Sequence, residues 1–198
     1  MPSAQYAPWT IMRRVPSASR SVAAPIVAEA PAGDPGGAVE KVGLEPGAAD
    51  GTYFETFREP DGPEGETVTL KNVIAVLPGT DPGWATQSLV VGAHYDHLGF
   101  GWPDVRAGEE GKLHPGAEDN ASGSAMVTAL AEIMSRYRFE KTARFLVVTG
   151  EEFGLYGSRY NACGTYAREE EFLGVLNGDM IAWEGNGSPD PETLDLSY

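Results

Sequence analysis

Histidine and carboxylate residues stand at three places where apolar runs end and at a fourth just before a helical pattern. "VVGAHYDHLGFG" carries His94, Asp96 and His97, "HPGAEDNASG" carries His114 and Asp119, "VVTGEE" ends in Glu151 and Glu152, and "LNGD" ends in Asp179. Neutral imidazole nitrogen and carboxylate oxygen form a donor set that suits zinc and also accepts manganese or cobalt. A carboxylate can bridge two ions roughly 3.5–4 Å apart, and such a pair lowers the pKa of a shared water. Adjacent glutamates can then divide the work, one binding metal and its neighbour, facing the other way, serving as general base. Asp96 follows His94 by two positions, so in an extended segment it points to the same side and can orient the imidazole. The chemistry these residue types fit is metal-assisted hydrolysis.

Each residue taken alone has a plainer reading. An isolated histidine after a strand is commonly a satisfied loop residue, and an aspartate before a helix is commonly a cap. Paired glutamates usually form a solvated face, the reading given to Glu109 with Glu110 and to the run 169–171. Glu151 and Glu152 differ because they end a buried-strand pattern, where desolvated carboxylates need partners. The plain readings would have to hold independently at every one of these positions.

Elements of the right kind exist to bring them together. "SLVVGAH", "ARFLVVTG" and "FLGVLNGDMIAW" read as strands, the first two as short continuous apolar runs of buried central type. "GTYFETF" and "TVTLKNVIAVL" read as two further strands able to pair as a hairpin across "REPDGPEGE". "NASGSAMVTALAEIMSRYRF" places Ala125, Met126, Ala129, Leu130, Ile133 and Met134 on one helical face, with Asn120 or Ser122 as cap, and "SRYNACGTYAREEE" reads as a short helix and turn. Strands alternating with helices indicate an α/β domain with an at least partly parallel sheet. In such sheets ligands gather beyond the carboxyl ends of the strands, where His94, Glu151, Glu152 and Asp179 all fall.

Composition narrows the class. The chain has 198 residues, 41% hydrophobic and 22% charged, enough for one domain with a core plus irregular chain. The formal net charge of −15, from 29 acidic against 14 basic residues, repels nucleic-acid backbones and anionic membranes over most of the surface. No apolar run approaches the roughly 20 residues of a membrane-spanning helix. Cys163 is the sole cysteine, which excludes an internal disulfide and thiolate metal clusters. Residues 1–36, rich in Pro, Ala, Ser and Gly, read as a flexible arm or the remnant of a preceding segment, and 37–198 as the folded part.

The motifs "GAHYDHLGFG", "HPGAEDNASG", "VVTGEEFGLYGSRY" and "LNGDMIA", in this order, resemble the zinc aminopeptidases of metallopeptidase family 28, the group that includes bacterial leucyl aminopeptidases and aminopeptidase Y. The resemblance runs from about Thr67 to Ala182. It implies a three-layer αβα fold around a mixed, largely parallel central sheet, with two zinc ions per complete domain. It implies that His94 and Asp179 bind one zinc, Asp119 bridges both, Glu152 binds the second, Glu151 is the general base and Asp96 supports His94. Glu118 is expected to stay outside the metal site. The implied reaction removes N-terminal residues from peptide or protein substrates, with an extracytoplasmic location. The family's further histidine, late in the domain, has no counterpart after His114. The chain is therefore read as the N-terminal and central part of such a domain, incomplete at the C-terminus. His97 and His114 are the replacements open to consideration, with His97 read as a supporting residue. The alternative class is a single-metal or non-catalytic relative acting as a binding or structural domain, or an inactive fragment. A carboxypeptidase-like or cyclase-like relative is a third.

Overall fold

The structure, a computed structural model, describes residues 13–14, 42–59, 67–84, 87–100, 108 and 111–182. The arm expected over 1–36 lies outside these residues except for Arg13–Arg14 (β1), which pairs antiparallel with Tyr137–Arg138 (β6). Residues 60–66 of the loop "REPDGPEGE" and the pair Glu109 and Glu110 also lie outside them.

The hairpin forms as its alternation predicts. Phe54–Glu59 (β3) runs antiparallel to Val68–Leu77 (β4), from Phe54 opposite Val73 to Glu59 opposite Val68. Glu45–Pro46 (β2) continues along the same edge of β4. On its other edge β4 pairs antiparallel with Thr142–Val148 (β7). Gln87–His94 (β5) then lies parallel to both β7 and Glu171–Asn177 (β8), giving the order β2-β4-β7-β5-β8. The sheet is therefore mixed, with three parallel strands whose carboxyl ends share one edge.

Side chains alternate across the sheet, and each face takes one helix. Helix α1 (Gly123–Met134) buries Val127 and Ala131 against Val73, Ala75, Val91, Ala93, Phe145 and Val147. The opposite face presents Ile74, Val90, Leu146 and Val148. Helix α2 (Tyr156–Ala167) packs on the face carrying Phe57, whose ring stacks on Tyr160 at 4.5 Å. The outer strand β8 is exposed on both faces, with Val175 63% and Leu176 52% accessible.

Three element boundaries differ from the periodicity. Of the two cap candidates for the helix read over 120–139, Ser122 stands at the N-cap and α1 starts at Gly123, while Asp119 (φ −107°, ψ 91°) and Asn120 (φ −138°, ψ 50°) leave the helical region inside the preceding π turn Ala117–Ser122. At its other end Tyr137 and Arg138 are strand. Helix α2 begins before "SRYNACG", at Tyr156, just after Leu155 takes a left-handed φ of 63°. Strand β8 stops at Asn177 rather than running to Trp183; Gly178 and Asp179 turn away and Met180 is left-handed at φ 49°.

Candidate metal centre

Parallel register delivers the ligand candidates. His94 is the last residue of β5, opposite Val148, and beyond it the ladder is extended by Tyr95 N–H donating to Val148 O (2.9 Å) and Gly178 N–H donating to Gly92 O (2.9 Å). These two bonds fix the segments that carry Glu151, Glu152 and Asp179 beside His94. Asp119 arrives from the turn before α1, and Ser124 at the start of that helix donates to His94 O at 2.9 Å.

His94 is 2% exposed, and its Nε2 lies 3.0 Å from Asp119 Oδ1 and 3.7 Å from Asp179 Oδ1. Donor atoms of these three residues all fall within 4.8 Å of one another. A tetrahedral ion with bonds of about 2.1 Å separates its donors by about 3.4 Å, between the two observed spacings. Nε2 is buried and makes no hydrogen bond of acceptable geometry, although it faces two carboxylates. An imidazole nitrogen aimed at two acidic oxygens without bonding either is what a cation ligand looks like, so the residues fit a zinc ion. With Nε2 turned to the carboxylates, Nδ1–H faces Asp96, whose backbone O is 3.2 Å away and Oδ1 3.5 Å.

Asp96 also accepts the Glu152 N–H at 3.2 Å through Oδ2. One carboxylate thus touches both the histidine and the backbone of the glutamate pair. Sequence reasoning anticipated only the contact with histidine. Glu118 directs Oε1 to the Ala182 N–H at 2.8 Å and so serves the backbone. His97 is exposed, with Nδ1 accepting from Gly99 N–H at 3.0 Å, and His114 is bridged to Gly99 through its backbone; neither joins the three-residue group.

The charges are unbalanced and every affected group responds in the same direction. Burial would push the His94 imidazole down, but the hydrogen bond and charge of Asp96, with Glu151 and Asp179, raise it to about 9. Desolvation, then the charge of Asp119, raises Glu152 to about 7 despite the opposing pull of His94. Glu151 and Asp179 are raised chiefly by desolvation, again against His94 and with neighbouring aspartates adding to the shift. Crowded carboxylates retain protons and imidazole gains one, the pattern of a site short of positive charge.

Asn120 is the residue whose role sequence reasoning missed, having been weighed only as a helix cap. It is 1% exposed; Oδ1 accepts from Gly123 N–H at 2.9 Å while Nδ2 donates to Gly178 O at 2.9 Å. It therefore ties the neighbour of Asp119 to the neighbour of Asp179. The approach is so close that a Cβ on Gly123 would overlap Gly178 O and Asn120 Oδ1. The available signal was an asparagine adjoining a ligand candidate with small residues at Ser122, Gly123 and Gly178.

Sheet and donor set together define an α/β protein with a candidate histidine–carboxylate metal site at the carboxyl edge of parallel strands. Residues 72–190 match the profile of Peptidase family M28, more than half of the chain, and the chain belongs to that family. A protein of Pyricularia oryzae described as a "probable zinc metalloprotease" is 38% identical over 130 residues, covering 64% of this chain and 24% of its own. A "probable leucine aminopeptidase 2" of Aspergillus oryzae is 33% identical over 132 residues, covering 62% and 23%. The chain thus spans about a quarter of the length of the curated relatives it matches. Among solved structures, a leucine aminopeptidase precursor from Bacteroides thetaiotaomicron superposes with a TM-score of 0.59 at 16% identity, over 76% of this chain and 53% of that one. A Fimbriiglobus ruber glutaminyl cyclase gives 0.57 at 19%, over 72% and 50%. These two share the fold.

Proposed function

We propose that this chain forms the metal-binding part of a zinc aminopeptidase that removes N-terminal residues from peptides. The observation that supports this most is the buried His94 Nε2 facing Asp119 and Asp179 without a hydrogen bond, in a member of a peptidase family. Relatives described as a zinc metalloprotease and a leucine aminopeptidase support the metal and the substrate end.

His94, Asp119 and Asp179 would hold one zinc, and Asp119 with Glu152 would offer oxygens to a second. Zinc bound there would polarise a scissile carbonyl and acidify water. Glu151 acts as general base: its carboxylate, made more basic by burial, accepts a proton from water and passes it to the leaving amine. Asp96 holds His94 by Nδ1 and the glutamate pair by the Glu152 amide, so that base and metal ligands keep one relative position.

The test combines elemental analysis with product analysis by mass spectrometry. Zinc together with stepwise loss of N-terminal residues from unblocked peptides is expected. In Glu151→Gln, turnover should fall by at least about 10²-fold with zinc retained, whereas Glu152→Gln should lose zinc. Equal zinc loss in both variants overturns the division of roles. Zinc without hydrolysis of any peptide would favour a single-metal binding relative, and products shortened at the C-terminus would show a carboxypeptidase.

A further inference from the structure

The nine residues from Thr149 to Gly157 leave β7, carry Glu151 and Glu152, and return into α2. The two ends of this loop are held together by one side chain that makes no part of the metal centre. Asn72, in the middle of β4 and 0% exposed, accepts the Thr149 N–H through Oδ1 at 3.2 Å and donates from Nδ2 to Gly157 O at 2.8 Å. Its second amide hydrogen goes to Glu55 Oε2 at 2.8 Å, on the paired strand β3. That same oxygen accepts from Asn161 Nδ2 at 3.1 Å, one turn into α2.

The loop is built around this amide. Gly157 N–H donates to Thr149 O at 2.9 Å and Tyr156 N–H to Gly150 O at 2.9 Å, closing the neck from the backbone side. A Cβ on Gly157 would overlap Asn72 Oδ1 and Thr149 O, so only glycine allows the clamp to close. A fully buried amide whose bonds are all satisfied holds a single geometry, because any shift leaves a desolvated polar group unpaired.

From this geometry we infer that Asn72, braced by Glu55 and Asn161, is a positioning residue that sets the Glu151–Glu152 turn relative to β5. The inference deepens the proposed function, since it concerns how the base and a candidate ligand of that site are aimed. An asparagine on a strand face otherwise formed by Leu70, Ile74 and Val76 costs desolvation that packing alone would not require. The two anchoring contacts span 77 and 85 positions of sequence, which is why the chain alone does not reveal them.

The experiment measures amide hydrogen exchange by NMR and, in parallel, kcat, KM and zinc affinity on the whole chain. The variants are Asn72→Ala, Asn72→Asp and a control, Ile74→Val, two positions along the same strand. Asn72→Ala should speed exchange at Thr149, whose N–H it leaves without an acceptor, by about 100-fold, the equivalent of one lost buried hydrogen bond, with β5 amides unchanged. Asn72→Asp keeps an oxygen facing the Thr149 N–H and loses the Nδ2 donor to Gly157 O and Glu55, so Thr149 should stay protected, unlike in Asn72→Ala. Turnover should fall about 10- to 100-fold in Asn72→Ala with KM within about threefold and zinc at His94 retained, a split that Ile74→Val does not produce. Unchanged exchange at Thr149 in Asn72→Ala overturns the inference, as does a kcat loss matched by the control at equal loss of stability. If the wild-type chain hydrolyses no peptide, the proposed function fails, and exchange at Thr149 still decides the clamp.

Discussion

Zinc and protons compete for the same atoms in this site, and the competition can be counted. At pH 6 an imidazole raised to about 9 is fully protonated, and a carboxyl raised to about 7 is roughly nine-tenths protonated, whereas groups at ordinary values of about 6.5 and 4.5 hold roughly three-quarters of a proton and almost none. Filling the site, with one zinc at His94 Nε2 and a second at Glu152, must expel those protons. The structure therefore predicts release of about two protons per filled site at pH 6, against about one for an unperturbed pair. Isothermal titration calorimetry in two buffers of different ionisation enthalpy reads this number directly. A pH series gives the same quantity as a slope: near pH 6, the overall affinity for filling the site should rise close to a hundredfold per pH unit, since each proton displaced contributes about tenfold. A release of one proton or fewer would refute the claim that these groups form one charge-deficient cluster.

The same cluster sets the stability of the zinc-free chain. His94, Glu151, Glu152 and Asp179 all have folded values raised above their unfolded ones, so their contribution is present in acid and lost as pH rises through about 7 for Glu152 and about 9 for His94. Urea melts in chelator should therefore show falling stability from pH 6 to pH 9, with zinc restoring most at the alkaline end; greater stability at pH 9 in chelator would contradict this. Asn120→Ala removes two buried hydrogen bonds and strands Gly178 O and Gly123 N–H, a cost of about 2–4 kcal/mol by chemical denaturation. Because it unties the neighbours of Asp119 and Asp179, zinc affinity should weaken together with stability, and a variant with wild-type affinity would show the tie to be irrelevant to the site.

How much of this was legible depended on the range of the interaction. The buried runs ending in His94 and Val148 identified the central parallel strands, since apolar continuity is a local property, and the pairing of β3 with β4 was legible as a hairpin, though not its register. The placement of His94, Asp119 and Asp179 at one edge follows from parallel topology, which the strand–helix alternation already implied. Helix ends were misread where tertiary pairing overrides periodicity, as at Tyr137 and Arg138, which leave the helical pattern to pair with Arg13 and Arg14. The bond from Asp96 to the Glu152 amide and the Asn72 clamp were illegible for the same reason: each joins segments more than fifty positions apart through a polar group that local pattern reads as ordinary.

The most direct test of the account is anomalous diffraction at the zinc absorption edge from a crystal of this chain grown with zinc. The account predicts a peak about 2.0–2.2 Å from His94 Nε2, Asp119 and Asp179 carboxylate oxygens. Zinc bound elsewhere with these three side chains left free would contradict it.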